Sequence, residues 1–323
     1  MSSLRAGIGS PVPGPAVAAY DCGTNSTRLL VVGAGGRTLD RQMRITRLGE
    51  GVDRSGALSP QAISRTLSVL EDYKARADEL GVQRARLVAT SAARNATNAE
   101  EFFDAAAKVT GLEPELLSGE EEGRLSFAGA TAHLPAGFGI GQWVLVVDIG
   151  GGSTELVLGL PSDPASARAV SVEVGCVRVT ERFFGHDPPE PSELSAASGA
   201  VRRLLDPVGR YFSDPESGPC MIGLAGTVST LAALERSLVS YDRDRIHHTV
   251  LTRACVDRWL SVLAAEESAR RLARSGVMRG RQDVIVGGAL ILSCVMSVFS
   301  KQSCLVSEDD ILDGLAAGLA ESG

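Results

Sequence analysis

An α/β protein is what this sequence predicts, and three observations carry that expectation. Apolar segments of strand length alternate with amphipathic segments of helix length along the chain. Two of the strand pairs repeat one another at a spacing of 127: Asp21, Gly23, Ser26 and Thr27 fall on Asp148, Gly150, Ser153 and Thr154. The 323 residues, 44% hydrophobic and 22% charged, are enough for two domains with sizeable cores and exclude a mostly disordered or fibrous chain.

The elements follow in order. Met1 to Pro15 is a Gly/Pro/Ser stretch without the apolar centre of a secretory signal, and is expected to be a flexible leader. Ala16 to Val32 has two apolar arms around a polar turn and reads as a β-hairpin. Ser59-Pro60 supplies a cap and a first-turn proline for a helix of about 20 residues. Its apolar face is Ile63, Leu67, Leu70, Tyr73, Ala77 and Leu80, with Gly81 past the end. Arg86 to Thr90 is a strand, Ser91 to Thr97 the loop at its carboxyl end, and Asn98-Ala-Glu-Glu101 the capping signature of the next helix. In Ser118-Gly-Glu-Glu121 the serine caps a long helix and Glu121 returns a bond to the Ser118 N–H. After a Gly/Pro-containing link, Trp143 to Leu158 repeats the opening hairpin. Met221 to Ala233 reads as strand, glycine turn and helix start, and Ser307 to Asp310 caps a final amphipathic helix. The apolar run Val284 to Phe299 is interrupted by two glycines and two serines and is shorter than the roughly 20 residues of a membrane span. A buried helix is expected there, and no membrane partner.

Charge and composition narrow the function. Thirty-nine acids against 32 Lys plus Arg give a net charge of −7, and aromatics are 4%. That is the wrong sign for coating nucleic acid and too little ring surface for base stacking, so no nucleic-acid partner is expected. Six cysteines without a C-x-x-C pair read as thiols of a reducing compartment, and a cytoplasmic location is expected.

The duplicated hairpins point to phosphate. A turn of Gly, Ser, Thr and Asn offers backbone N–H groups and hydroxyls, and its glycines let the main chain approach a ligand closely. Two such turns face to face would clamp a chain of phosphates. The acid before each turn would repel that chain unless a divalent cation stood between them, which makes Asp21 and Asp148 candidate Mg²⁺ ligands. Ordinary turn chemistry explains one such hairpin, but explains two in register, followed by the Gly226-Thr227 turn, much less well.

In these motifs the sequence resembles the exopolyphosphatase and guanosine pentaphosphate phosphohydrolase family, a branch of the actin, Hsp70 and sugar-kinase superfamily. The resemblance rests on Asp21-Cys-Gly-Thr-Asn-Ser26, Thr90-Ser-Ala-Ala-Arg94, Ser118-Gly-Glu-Glu-Glu-Gly-Arg124, Val147-Asp-Ile-Gly-Gly-Gly-Ser-Thr-Glu155 and Gly223-Leu-Ala-Gly-Thr227, and runs from about Ala16 to Ala320. It implies two α/β domains of ribonuclease-H type, as in actin-like ATPases, with a cleft between them. The expected division is residues 16–134, residues 135–306, and a C-terminal helix over 307–323 that packs back on the first domain.

The resemblance also implies roles. Glu122 matches the general base; Glu121 is already engaged in the capping box, Glu120 sits where a helix dipole favours an acid, and a solvated acidic first turn is the alternative. Glu155 matches a second essential acid that holds metal or the attacking water, with a strand-end surface glutamate as its alternative. Arg94 matches a phosphate-binding arginine, whose fork fits a terminal phosphate. Asn25, Ser26, Gly150, Gly151, Gly152, Ser153, Thr154, Gly226 and Thr227 would complete the phosphate donors. Arg28 occupies the place of Glu155 in the other repeat, and its orientation is open.

The implied activity is removal of terminal orthophosphate from inorganic polyphosphate, with short chains favoured because the additional C-terminal domains of longer members are missing. Alternatives are hydrolysis of guanosine pentaphosphate, a small-molecule kinase of the same superfamily, and a polyphosphate or nucleotide sensor without turnover. The resemblance suggests a homodimer. The basic clusters Arg37 to Arg54 and Arg270 to Arg281 read either as a polyanion track or as solvated helix faces. His247-His248 is not expected to bind zinc, since adjacent histidines do not share a helix face.

Overall fold

The computed structural model describes residues 16–138, 141–212 and 220–321. The leader expected over Met1 to Pro15 lies outside them. The first hairpin is formed by β1 (Ala16–Cys22) and β2 (Ser26–Val32), antiparallel, with Asp21 directly opposite Arg28. With β3 (Thr38–Ile45), β4 (Val82–Ala89) and β5 (Pro114–Leu116) it makes a five-stranded sheet in the order β3-β2-β1-β4-β5. The second hairpin, β6 (Val144–Ile149) and β7 (Thr154–Leu160), sets Asp148 opposite Glu155. It joins β8 (Asp163–Val172), β9 (Cys220–Leu224), β10 (Val250–Thr252) and β11 (Ser303–Val306) in the order β10-β11-β9-β6-β7-β8. Reading β8-β7-β6-β9-β11 against β3-β2-β1-β4-β5 shows the same arrangement twice, so the duplication seen in the motifs extends to strand order and direction.

Each sheet buries apolar residues on both faces. Tyr20, Leu29, Leu70, Tyr73 and Phe102 fill the core between the first sheet and the helices Pro60–Glu79 and Ala99–Thr110. The second sheet has the larger core, in which Ile285, Val286, Ile291 and Val295 of the Ile285–Val298 helix sit beside Leu145, Leu231 and Val256. This is the buried helix expected from the apolar run, and no helix among the described residues is long and apolar enough to cross a membrane.

Two helices link the sheets. Helix Gly119–Thr131 lays Phe127 and Ala130 on Val144, Val146 and Val157 of the second sheet. The C-terminal helix Ile311–Glu321 lays Ile311, Leu312 and Leu315 on Val17, Leu30 and Val88 of the first. They cross at Gly129 and Gly314, where a Cβ would collide with the backbone carbonyl of Asp310 or Leu125, so the main chains pass at the closest possible approach.

The local signals hold in most places. Ser59 accepts from the Ala62 N–H, and Ser118 and Glu121 form the reciprocal box. Asn98 is a correction: its side chain does not cap its own helix but holds both backbone groups of Leu58, accepting at 2.8 Å and donating at 3.1 Å. At the last helix Asp310 accepts from the Leu312 N–H, while Ser307 bonds the backbone of Asp309 instead of reaching the helix. Most arginines of the basic clusters are paired with acids, though Arg270 stays exposed on its helix. Arg41, Arg44 and Arg47, on or just after β3, pair with Asp313, Asp72 and Asp283, while Arg270 and Arg274 pair with Glu266 and Arg271 with Asp187.

Candidate active site

Parallel pairing of β1 with β4 brings Cys22 level with Ala89, so the turn after β1 and the Ser91–Arg94 helical turn after β4 emerge side by side. The turn after β6 meets them from the other sheet. Carboxyl ends of strands are where open α/β sheets collect ligands, because turns and helix starts present free N–H groups there.

The two hairpin turns touch. A Cβ on Gly151 would lie 2.8 Å from Thr24 Cβ and 3.2 Å from the Asn25 nitrogen, and one on Gly152 would reach 3.0 Å from Thr24 Oγ1. All three distances are at or near the closest approach of real side chains, which is the reason glycine occupies these positions. Asn25, Thr24, Ser153 and Thr154 are all buried at this junction. Thr154 is turned away and donates to the Val174 carbonyl.

Glu122, in the first turn of its helix, accepts from Arg94 Nη1 at 2.8 Å. The same arginine donates to the Leu117 carbonyl at 2.9 Å and reaches Ser153 Oγ at 3.4 Å and Glu155 Oε1 at 3.9 Å. Glu122 is therefore no solvated helix-turn acid. Nor is Glu155 a surface residue: it is 1% exposed and accepts from Ser171 Oγ at 2.7 Å. Gly119 and Gly123 permit this, since a Cβ on either would press into Ser171 or Val157 of the second sheet. Burial, opposed by Arg94, pushes the Glu122 carboxyl up to about 7. Burial, followed by repulsion from Glu122 and Asp148, raises Glu155 well above the ordinary range. Asp148, buried but held by Ser126 Oγ at 2.8 Å, rises to about 6.

Asp21 differs. Arg28 donates to its Oδ2 from Nε at 2.8 Å and Nη2 at 2.5 Å, and pairs through Nη1 with Asp310. Arg28 thus does reach the site, held between two acids. It also opens a cavity of 410 Å³ that includes Gly226, Tyr241, Met278 and Arg281. Arg281 was missed as an individual residue: its partly buried guanidinium occupies the space that a side chain at position 226 would need, and among the described residues no carboxylate pairs with it. The only sequence signal was its place in the Arg270 to Arg281 cluster. Thr227 faces away from this cavity and packs on Gly288. Asp310, four residues into the segment expected only to cap a helix, is the other residue that sequence reasoning overlooked.

The donor set fits a hard divalent cation. Asp148 and Glu155 are like charges directly opposite on paired strands, an arrangement that is destabilising unless something positive lies between. Asp21 Oδ1, Glu155 Oε2, Asn25 Oδ1 and Thr24 Oγ1 are buried with no hydrogen-bond partner, and all are oxygens. Among the described residues no three acidic, histidine or cysteine side chains close a cage by themselves. Mg²⁺ is commonly bound in this way, by one or two carboxylates together with water and substrate phosphates. His247 and His248 stack with ring centroids 3.6 Å apart, and His247 Nδ1 accepts from the Glu308 N–H.

Known proteins are similar to this chain over nearly its whole length. Exopolyphosphatase 2 of Mycobacterium tuberculosis is 42% identical over 320 residues, covering 94% of this chain and 98% of that one. The crystal structure of an exopolyphosphatase-like protein superposes with a TM-score of 0.90 at 32% identity, covering 95% of this chain and 99% of the other. A Ppx/GppA family member from Aquifex aeolicus superposes at 0.78 with 33% identity, covering 96% and 99%. The family model described as Ppx/GppA phosphatase matches residues 31–322. Motif order, duplicated sheets and similarity from end to end have one explanation: the chain belongs to the Ppx/GppA phosphatase family.

Proposed function

We propose that this protein is an exopolyphosphatase that removes terminal orthophosphate from inorganic polyphosphate by attack of water, with Glu122 as general base. One observation carries the reading: Glu122 is bonded to an arginine that also reaches the second phosphate turn. A carboxylate raised to about 7 is matched to proton abstraction near neutral pH, and Arg94 ties it to the phosphate it must address. The name of the Mycobacterium tuberculosis relative supports the same hydrolysis of phosphoanhydride bonds.

In this reading Arg94, Asn25, Ser26 and the Gly150–Ser153 turn hold the terminal phosphate, while Thr154 braces that turn through Val174. Their N–H groups and the guanidinium would face the equatorial oxygens, where charge accumulates during phosphoryl transfer. Glu122 takes the proton of the attacking water. The leaving chain lies toward the 410 Å³ cavity, where Arg28, Gly226 and the partly buried Arg281 offer positive charge and close backbone approach. Thr227 has at most an indirect part, through the position of Gly226. Asp148, Glu155 and Asp21 would hold the divalent cation, which when bound supplies charge neutralisation for the transferred phosphoryl group. Its identity as Mg²⁺, guanosine pentaphosphate as a further substrate, a homodimer, a cytoplasmic location and the division into units at 134/135 and 306/307 belong to the same proposal.

The test is orthophosphate release, with and without Mg²⁺, from short and long polyphosphate, guanosine pentaphosphate and ATP, by the native chain and by Glu122→Gln. Release from polyphosphate that falls by roughly 10²- to 10⁴-fold in the variant is expected. Tight polyphosphate binding without turnover in the native chain would overturn the hydrolase reading in favour of a sensor.

A further inference from the structure

Each phosphate turn is braced by a neighbouring segment. Behind the first, the N–H groups of Thr46 and Arg47 donate to the Asn25 carbonyl at 3.2 and 3.0 Å, and that of Gly49 donates to the Thr24 carbonyl at 2.9 Å. Gly49 lies so close that any side chain there would strike Thr24. This brace runs on through Gly51 into the short helix Val52–Ser55, which carries Asp53. Behind the second turn stands the helix Cys176–Phe183. Its Cys176 N–H donates to the Gly150 carbonyl at 3.0 Å, and those of Val177 and Arg178 donate to Gly151 at 2.9 and 3.2 Å.

Between the braces lies one cluster of ion pairs. Asp53 Oδ1 is 3.2 Å from Arg178 Nη1 and accepts from Arg182 Nη2 at 2.6 Å, and its other oxygen accepts from Arg182 Nε. The Gly51 N–H donates to Glu181 at 3.1 Å. Glu173 receives Arg178 at 2.7 Å and, from the first half of the chain, Asn95 at 3.0 Å. The Asp53 and Arg178 side chains are 14% and 13% exposed, so this pairing is screened far less than a surface salt bridge. A cavity of 20 Å³, room for about one water, is all that separates the cluster from Thr24, Ser91 and Gly152. Neither turn can withdraw from the other without its brace, and neither brace can withdraw without breaking the contacts of Asp53.

We infer that Asp53 is a positioning residue: through Arg178 and Arg182 it holds the two phosphate turns in register, so that the clamp is already assembled when substrate arrives. It touches neither substrate nor cation. The kinetic consequence rests on the polyphosphatase reading, while the mechanical one does not. Loss of the pairing lowers the fraction of molecules with an assembled clamp, and apparent affinity falls by that fraction. Once substrate bridges the turns the chemistry is unchanged, because Glu122 and Arg94 stand on other elements.

The experiment uses the full chain and the variants Asp53→Asn, Arg182→Gln and their combination, with short polyphosphate as substrate and amide hydrogen exchange measured without it. Asp53→Asn is expected to raise KM about five- to tenfold and leave kcat within about twofold. The combined variant is expected to be no worse than Asp53→Asn, because both changes remove one interaction. Exchange should quicken several-fold in the peptides carrying Thr24-Asn25 and Gly150–Gly152 and stay unchanged in β4. A fall in kcat at constant KM, additive effects of the two substitutions, or unaltered exchange at both turns would each overturn the inference. Arg182→Gln, on a half-exposed side chain, keeps the test open if Asp53→Asn fails to fold. If the native chain hydrolyses no polyphosphate, the functional reading fails, and the exchange measurement still decides the role of Asp53.

Discussion

Across the first hairpin Asp21 faces Arg28; across the second, at the equivalent positions, Asp148 faces Glu155. Strand pairing and register are alike, so the contrast turns on the sign of the side chain opposite each aspartate. In the first hairpin one arginine is shared by two acids, Asp21 and Asp310, and offsets part of their charge. In the second the charges add, and the carboxyls respond by holding protons, Glu155 well above its ordinary range and Asp148 at about 6. The lesson is that a duplicated motif need not duplicate a role. The first hairpin carries its own counter-charge, although burial raises the Asp21 carboxyl as well and its Oδ1 is left without a partner, whereas the second faces acid with acid and calls for a cation.

The largest effect expected from breaking this contrast is at Glu155. Glu155→Gln removes the uncompensated charge, and orthophosphate release should fall on the order of a thousandfold, the several kcal/mol that a bound cation supplies to phosphoryl transfer. Calorimetric titration with Mg²⁺ should show the loss of binding directly. Next comes the fit of the turns. Gly151→Ala thrusts a methyl group to 2.8 Å from Thr24, whereas Gly23→Ala meets only the Ser26 carbonyl at 3.2 Å. A displacement near 1 Å can cost up to about 10²-fold, so kcat/KM should fall roughly ten- to a hundredfold in the first variant and only a few-fold in the second.

Acidity sharpens the contrast further. Glu122, Asp148 and Glu155 all have raised pKa values, so the folded protein binds protons more tightly than the unfolded chain. Their contribution to stability is present at low pH and is lost as pH climbs from the usual carboxylate range through 6 to 7. Metal-free protein should therefore melt at a lower temperature at pH 8 than at pH 6, and added Mg²⁺ should recover more of the loss at pH 8. Activity runs the other way, since Glu122 works deprotonated: kcat/KM should decline as pH drops through about 7, or lower when a cation is bound nearby. The smallest effect is expected at the first hairpin. Asp310→Asn leaves Arg28 one of its two partners, costing about 1–3 kcal/mol and a few degrees in thermal midpoint, with turnover changed much less than in Glu155→Gln.

Much of this site was legible because the relevant signals are local. Glycine turns, the capping box at Ser118 and the hairpin alternation all act within a few residues, and sequence spacing states them directly. Asn98 shows the limit: the capping pattern was present, but Leu58, 40 residues away in sequence, offered both backbone groups to one amide. The arginine clusters show it again. Runs of like charge in sequence became ion pairs with acids from other elements, and only folding chose the acids.

By itself the sequence determined the duplicated α/β plan, the two acid-and-glycine turns, the helix that begins at Ser118, and the identity of Glu122, Arg94, Asp148 and Glu155 as the residues to watch. The tertiary structure alone decided that Arg28 meets Asp310 across 282 positions, that Arg281 enters the cavity beside Gly226, and that Asp53 ties the braces of the two turns together. The reason is physical. Turn and cap energies depend on neighbouring residues, whereas a buried charge takes the partner that packing of distant segments brings within reach, and no local pattern encodes which one that is.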